Sequence, residues 1–199
     1  MFQGGANETT ETTVGRVTVD LLRDLTDRAA AIVEAFDPDD VLYSESVEVF
    51  NEFSRLGRLA NAGATLVARR VDESRRWVKA GHRNVDDFIA AETGESLGDA
   101  RKQRQTSERL KNLPDTEEEL RKGNLSREQS DVITDAATAN PGAEDQLLDD
   151  SRKKSVKDLK DQANRAKAAA DRDPEETAER IHRGRKLSDW ATGDGGHSL

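Results

Sequence analysis

The sequence predicts an all-α fold, and three observations lead to that prediction. Apolar residues recur every three or four positions over long stretches, which is the period of an amphipathic helix. No segment shows the alternation of β-branched and polar residues that is typical of a half-buried strand. Aromatic residues make up only 4% of the chain, so small aliphatic side chains must supply the core. We therefore expect long N-terminal helices, packed as a bundle or coiled arm, followed by a cluster of short helices.

Four parts are predicted along the chain. Residues 1–15 lack a periodic apolar pattern and are expected to form a disordered leader. Residues 16–80 are expected to hold the long helices and residues 81–140 a domain of short helices. Residues 141–199 are expected to form polar C-terminal helices and a tail, with a last helix that opens near Asp173 and packing that is loose or borrowed from a partner.

The long-helix region contains two apolar series. The first begins at Val17 and is expected to end before Pro38, because the residue that precedes a proline avoids helical backbone. The second runs from Val47 towards Trp77 without a proline, and a helix of more than about 25 residues is typical of bundles and coiled coils. Since so thin a core often gains stability from association, the long helices are the predicted surface for pairing two copies.

The short helices are expected to begin with capping boxes. In this motif a cap oxygen and the side chain three residues later satisfy free backbone amides. The four candidate pairs are Asn84 with Asp87, Ser96 with Asp99, Thr116 with Glu119, and Ser126 with Gln129.

The charge distribution bears on nucleic-acid binding. The net charge of −9 opposes binding to a polyanion, because phosphates are neutralised by Lys and Arg. Basic residues nevertheless gather between residues 100 and 111. That stretch holds five of them against one acid: Arg101, Lys102, Arg104, Arg109 and Lys111 against Glu108. The two readings of this stretch are a DNA-binding face and an ordinary solvated helix face.

Residues 84–125 predict a helix-turn-helix. Gly94 permits the left-handed turn and Ser96 can cap the second helix, whose inner side would carry Ala100, Ser107 and Leu110. Gln103 stands where an apolar residue is expected. The predicted contacts with double-stranded DNA are Ser96, Arg101, Lys102, Arg104, Gln105 and Lys111. Arg and Gln can bond to guanine and adenine edges in a bidentate way, and Lys and Ser can hold phosphates.

The alternative is a protein-interaction or oligomerisation scaffold that does not bind DNA. One continuous exposed basic patch favours DNA if it combines Arg101, Lys102, Gln105 and Lys111 with Arg69, Arg70, Arg75 or Arg76. Acids interleaved among these side chains favour the scaffold.

No catalytic residue, cofactor or metal site is predicted. The chain has no cysteine, and His82, His182 and His197 lack the spacing and the ββα frame of an HNH nuclease site. No run approaches the roughly 18 apolar residues of a membrane span, and the N-terminus lacks the pattern of a signal peptide. We expect a cytoplasmic protein that is not an enzyme and does not contact a membrane.

The order of several motifs resembles a known family. The motifs are Arg69-Arg70-Val71-Asp72-Glu73, Trp77, Gly81, Val85-Asp86-Asp87-Phe88-Ile89, Thr93-Gly94-Glu95-Ser96, Ala100-Arg101, Leu110, Leu113-Pro114, Gly123, Leu125-Ser126 and the stretch from His182 to Trp190. This order is similar to that of the 13E12-repeat family, a helical region of unknown function that usually precedes an HNH endonuclease domain. The chain differs from the family pattern at Phe88 and Gln103.

The segment after the predicted reading helix, from Leu110 to Ile133, is similar to the corresponding region of ParB-like partition proteins. In those proteins the additional helices brace the helix-turn-helix. Together the two resemblances imply a DNA-targeting helical module that stops before the nuclease domain.

Overall fold

The structure is a computed structural model that describes residues 18–170, 190–191 and 197–198. It confirms the all-α prediction. The only strands among these residues are two of two residues each, β1 (Trp190–Ala191) and β2 (His197–Ser198), which pair antiparallel. The predicted leader and the predicted helix near Asp173 lie outside the described residues. No helix in the described ranges is both long and apolar enough to cross a membrane.

Nine α-helices lie in the described part of the chain. They are α1 (Val19–Ala35), α2 (Ser46–Ser74), α3 (Arg76–Lys79), α4 (Val85–Thr93), α5 (Leu97–Arg109), α6 (Pro114–Arg121), α7 (Arg127–Ala139), α8 (Glu144–Lys153) and α9 (Val156–Ala170). The chain divides into two compact units, Met1–Val49 and Phe50–Leu199. The four-part division expected from the sequence stays a prediction.

The first unit contains α1. The hydroxyl of Thr18 caps this helix by accepting a hydrogen bond from Leu21 N at 3.2 Å. The helix ends at Ala35, and Phe36 takes an extended backbone just before Asp37 and Pro38, as expected. None of the residues of α1 is buried.

Helix α2 spans 29 residues, which confirms the expected length. It ends at Ser74 and does not continue to Trp77. Arg75 adopts a left-handed backbone with φ 51° and so breaks the helix, and the short helix α3 follows at once. Left-handed backbone costs about 1–2 kcal/mol at a residue other than glycine. Arginine therefore does not favour this conformation, and the sequence contains no signal for the break.

The core of the second unit joins α7 to α8 and α9. Its centre includes Ile133, Leu147, Leu159 and Ala163, all at most 3% exposed. The expectation that the C-terminal helices pack loosely is therefore wrong. The thin apolar stripe of α8 and α9 is enough to form this core, because α7 contributes the small residue Ala136 to it and the helices can approach closely.

Three of the four predicted caps form. Asn84 and Ser96 each accept a hydrogen bond from the third helical amide, and Ser126 with Gln129 makes a complete capping box. Thr116 is instead fully buried inside α6, where its amide and hydroxyl both donate to Glu144 of α8, at 3.0 and 2.7 Å. Pro114 starts that helix two residues earlier, so the prediction of a cap at Thr116 is wrong.

Candidate nucleic-acid interface

A left-handed turn joins α4 to α5. Gly94 has φ 72°, and its amide donates to Ala90 O at 2.9 Å, which closes α4. A Cβ at this position would meet nothing within 4 Å, so only the backbone conformation requires glycine. Ser96 then caps α5: its hydroxyl accepts from Asp99 N at 3.1 Å and donates to Asp99 Oδ2 at 2.7 Å.

The inner side of α5 is the side that the sequence predicts. Ala100, Ser107 and Leu110 are buried, and so is Gln103. The polar Gln103 fits there because Nε2 donates to Thr65 Oγ1 of α2 at 3.3 Å. Helix α5 is thus fixed against α2 by polar contacts as well as by apolar packing.

The outer side of α5 exposes two of the predicted DNA contacts. The side chains of Arg101 and Lys102 are 58% and 61% exposed. Arg101 Nε lies 3.5 Å from Asp86 Oδ2, and Lys102 Nζ lies 3.1 Å from Asp99 Oδ1. The hydroxyl of Ser96 and the ammonium of Lys102 hold the pKa of Asp99 below its usual value. Acids are therefore interleaved with the basic residues of this face, which is the arrangement expected of the scaffold alternative.

Lys111 follows the C-terminal end of α5, in a short 3-10 turn. Its Nζ contacts Glu108 Oε2 at 2.6 Å, and its side chain is 45% exposed. Exposed pairs of this kind contribute about 0–1 kcal/mol each, so a phosphate can compete with the carboxylate for the cation.

Arg104 has a different environment. Its Nε and Nη2 contact the two carboxylate oxygens of Asp86 at 2.6 and 3.3 Å, and its Nη1 lies 3.9 Å from Asp72. The Asp86 carboxylate raises the pKa of Arg104, and Asp86 itself is buried. Arg104 therefore joins α5 to the start of α4 and the end of α2.

Gln105 lines a cleft of about 610 Å³ between α5 and α7, together with Lys102. Asp131 of α7 lies in the same cleft, where burial raises the pKa of its carboxyl group, and Thr106 Oγ1 donates to it at 2.6 Å. The six predicted contacts thus fall into three environments: Arg101, Lys102 and Lys111 are exposed, Gln105 faces the cleft, and Ser96 and Arg104 make structural contacts.

Within residues 18–170, 190–191 and 197–198, no group of three or more His, Cys, Asp or Glu residues is placed to hold a metal ion. The arrangement around α5 offers hydrogen-bond donors and positive charge on one helix face. Such a face can bind an anionic surface.

A family model described as a domain of unknown function, DUF222, matches residues 47–198, which is well over half of the chain. The protein belongs to the DUF222 family. DUF222 is the 13E12-repeat domain that precedes HNH endonucleases, so the family resemblance is confirmed. No curated protein and no solved structure matches the chain. The ParB-like helix-turn-helix in this DUF222 chain stays a prediction.

The sequence prediction centred on α5 and did not include Lys79 and Arg83 as binding residues. Together with Arg75 and Arg76 they form a basic stretch in which all four residues are exposed. The signal that could have found them is the complete lack of acids between Glu73 and Asp86.

Proposed function

We propose that this DUF222 chain is a DNA-binding helical module, which in longer proteins of the family positions an HNH nuclease domain. The observation that supports this proposal most is the arrangement of α4, Gly94 and α5. One side of α5 is buried against α2 and α4, and the other side exposes Arg101 and Lys102. A helix-turn-helix places its second helix in the major groove with this division of faces.

In this proposal α5 supplies the contacts that distinguish sequences. Arg101 can bond to the O6 and N7 atoms of guanine, and Gln105 to the N6 and N7 atoms of adenine. Lys102 and Lys111 are suited to phosphates, which fix the register of the helix without reading the bases. The interleaved acids and the net charge of −9 weaken binding, so we expect modest affinity that depends strongly on salt. The module binds DNA and does not cut it.

The test is fluorescence anisotropy of a labelled duplex of about 30 base pairs over a salt series. The variant is Arg101→Gln with Lys102→Gln, which removes two charges from α5. The matched control is Lys157→Gln with Arg165→Gln, which removes two exposed charges from α9.

The salt slope is the slope of the logarithm of the binding constant against the logarithm of the salt concentration. We expect the α5 variant to lose about one unit of this slope per lost phosphate contact and to bind more weakly. The control should bind like the wild type. Equal losses in both variants would indicate a general charge effect and would contradict the proposal, as would the absence of binding by the wild type at low salt.

A second candidate function is self-association through α1. Its residues Leu22, Leu25, Ala29 and Ile32 are spaced by three, four and three positions, as in a coiled-coil seam. Leu22 and Leu25 are each 53% exposed, and Ile32 is 60% exposed. An isolated helix of 17 residues is close to marginal in water, so this apolar face is expected to pack against the same helix of a second copy.

Sedimentation velocity over a concentration series tests this candidate. The wild type should sediment as a dimer, and Leu25→Glu with Ile32→Glu should sediment as a monomer. The control changes two acids on the same helix, Asp20→Asn and Asp24→Asn, and should leave the dimer intact. A wild type that is monomeric at high concentration would overturn the candidate.

A further inference from the structure

Residues 75–83, which we call the cationic segment, carry four exposed cations and no acid. The segment includes α3 and the loop that leads to α4. Its cations are Arg75, Arg76, Lys79 and Arg83, and there is no acid between Glu73 and Asp86. All four side chains belong to exposed residues.

None of these four side chains forms an ion pair or a hydrogen bond with any residue that the structure describes. The contrast with α5 is direct, because Lys102 and Lys111 each contact a carboxylate. An anion that approaches the cationic segment therefore displaces no carboxylate. The positive potential of the segment is correspondingly less compensated by neighbouring acids.

Two aromatic contacts fix the segment on the second unit. Trp77 is half-buried against the cluster of Ala68, Val85 and Ile89, and its Nε1 donates to Asp72 O at 3.4 Å. Near the other end, the ring of His82 packs edge-on against Phe88, with the ring centres 5.3 Å apart. The four cations are thus presented from a held backbone, which lowers the ordering cost of binding.

The segment adjoins α5. Asp72 lies just before it and Asp86 just after it, and Arg104 of α5 contacts both. Arg101 on the outer side of α5 also approaches Asp86. Arg104 therefore connects α5 to the residues on both sides of the cationic segment, and the segment and α5 belong to the same region of the second unit.

We propose that the cationic segment binds the phosphate groups of duplex DNA beside the groove that α5 enters. This inference rests on the proposed function and adds the surface that supplies most of its electrostatic attraction. Phosphates are the expected partner because the segment lies outside the predicted recognition helix and offers unpaired Arg and Lys side chains, which bind phosphate oxygens. The competing partner is an acidic protein surface.

The test compares two triple variants with the same loss of charge. The first is Arg76→Gln, Lys79→Gln and Arg83→Gln in the cationic segment. The control is Lys153→Gln, Lys157→Gln and Arg165→Gln, three exposed cations of α8 and α9. Because all six side chains are exposed, neither set should impair folding, and circular dichroism checks this.

Salt-series anisotropy with two duplexes of unrelated sequence gives the readout. The segment variant should lose about 0.9 units of salt slope per phosphate contact, and its affinity at 0.1 M salt should fall about eightfold per contact. The loss should be equal for both duplexes, because phosphate contacts do not depend on sequence. The control variant should keep the wild-type slope.

The outcomes separate this inference from the proposed function. Loss of binding in the Arg101→Gln, Lys102→Gln variant together with a wild-type slope in the segment variant would overturn this inference and leave DNA binding by α5 standing. A wild type that binds neither duplex would overturn both. Equal slopes for the two triple variants, or binding of labelled polyglutamate in place of DNA, would also overturn the inference.

Discussion

Gln103 and Thr65 meet in a buried hydrogen bond that joins α5 to α2, with Gln103 Nε2 3.3 Å from Thr65 Oγ1. Gln103 is 2% exposed and Thr65 is 1% exposed. A position that an amphipathic helix would give to an aliphatic residue thus carries an amide, and the opposite helix supplies its acceptor. This contact fixes the rotation of α5, and hence the direction in which Arg101 and Lys102 face.

Removing one partner of this pair should lower the free energy of unfolding more than replacing both partners by apolar residues. Thr65→Val leaves the amide of Gln103 buried without an acceptor, which costs about 1–3 kcal/mol. The double variant Thr65→Val with Gln103→Leu replaces the polar pair by apolar groups and should regain part of that loss. Urea denaturation followed by circular dichroism measures both. If the double variant loses the full sum of the two single effects, the two side chains are not coupled.

Two glycines with the same φ angle should differ in how much stability the protein loses when each is replaced by alanine. Gly94 and Gly123 both have φ 72°. Gly94→Ala should cost about 1–2 kcal/mol for left-handed backbone alone. Gly123→Ala should cost about 1 kcal/mol more, because its Cβ would lie 3.0 Å from Leu59 Cδ2 and Cγ. Thermal unfolding of the two variants compares them, and equal losses would show that Leu59 moves away without cost.

Acid should destabilise the link between α6 and α8. Hydrogen bonds from Asn124 and Arg152 lower the pKa of Glu119 from 4.5 to about 2. A carboxyl whose pKa is lower in the folded state stabilises fully above its unfolded pKa, and this contribution is lost as the pH falls from about 4.5 to about 2. Glu119→Gln should therefore reduce stability at pH 7, by an amount that shrinks over this window.

The control for this prediction is Glu118→Gln, because Glu118 is a neighbouring acid that is 64% exposed and, among the described residues, forms an ion pair only with Lys122. It should change stability little at any pH. A Glu119→Gln variant whose loss of stability is the same at pH 7 and pH 2 would contradict the prediction.

Asp131 should show the opposite dependence on pH. Burial raises the pKa of this carboxyl group, although Thr106 donates a hydrogen bond to it. A carboxyl group whose pKa is higher in the folded state than in the unfolded state destabilises the protein as the pH rises from the unfolded pKa through the folded pKa. Asp131→Asn should therefore raise the unfolding midpoint at pH 7 and change it little below pH 3.8, the unperturbed value. A lower midpoint at pH 7 would contradict this account.

The sequence predicts the elements whose signals are local. The end of α1, the presence of a long α2, the caps at Asn84, Ser96 and Ser126, and the turn at Gly94 all follow from apolar spacing and from residues with defined backbone preferences. The inner side of α5 was predicted for the same reason.

Other features depend on residues that are distant in the sequence. The sequence around Thr116 is that of a helix cap. In the structure its amide and hydroxyl instead donate to Glu144, which lies 28 residues later. Arg75 breaks α2 without any local signal. Arg101 and Arg104 both reach Asp86, but Arg104 contacts both of its carboxylate oxygens and also approaches Asp72, whereas Arg101 reaches it only through Nε at 3.5 Å and stays 58% exposed.

Site-specific cross-linking tests the central claim most directly, namely that the side of α5 with Arg101, Lys102 and the neighbouring cleft residue Gln105 contacts DNA. The chain has no cysteine, so Gln105→Cys and, as a control on α9, Lys157→Cys can each carry a single photoactivated label. Irradiation with a labelled duplex at low salt should cross-link position 105 and leave position 157 largely free, and excess unlabelled duplex should abolish the product. Equal cross-linking at both positions, or none at position 105 while the duplex is bound, would contradict the claim.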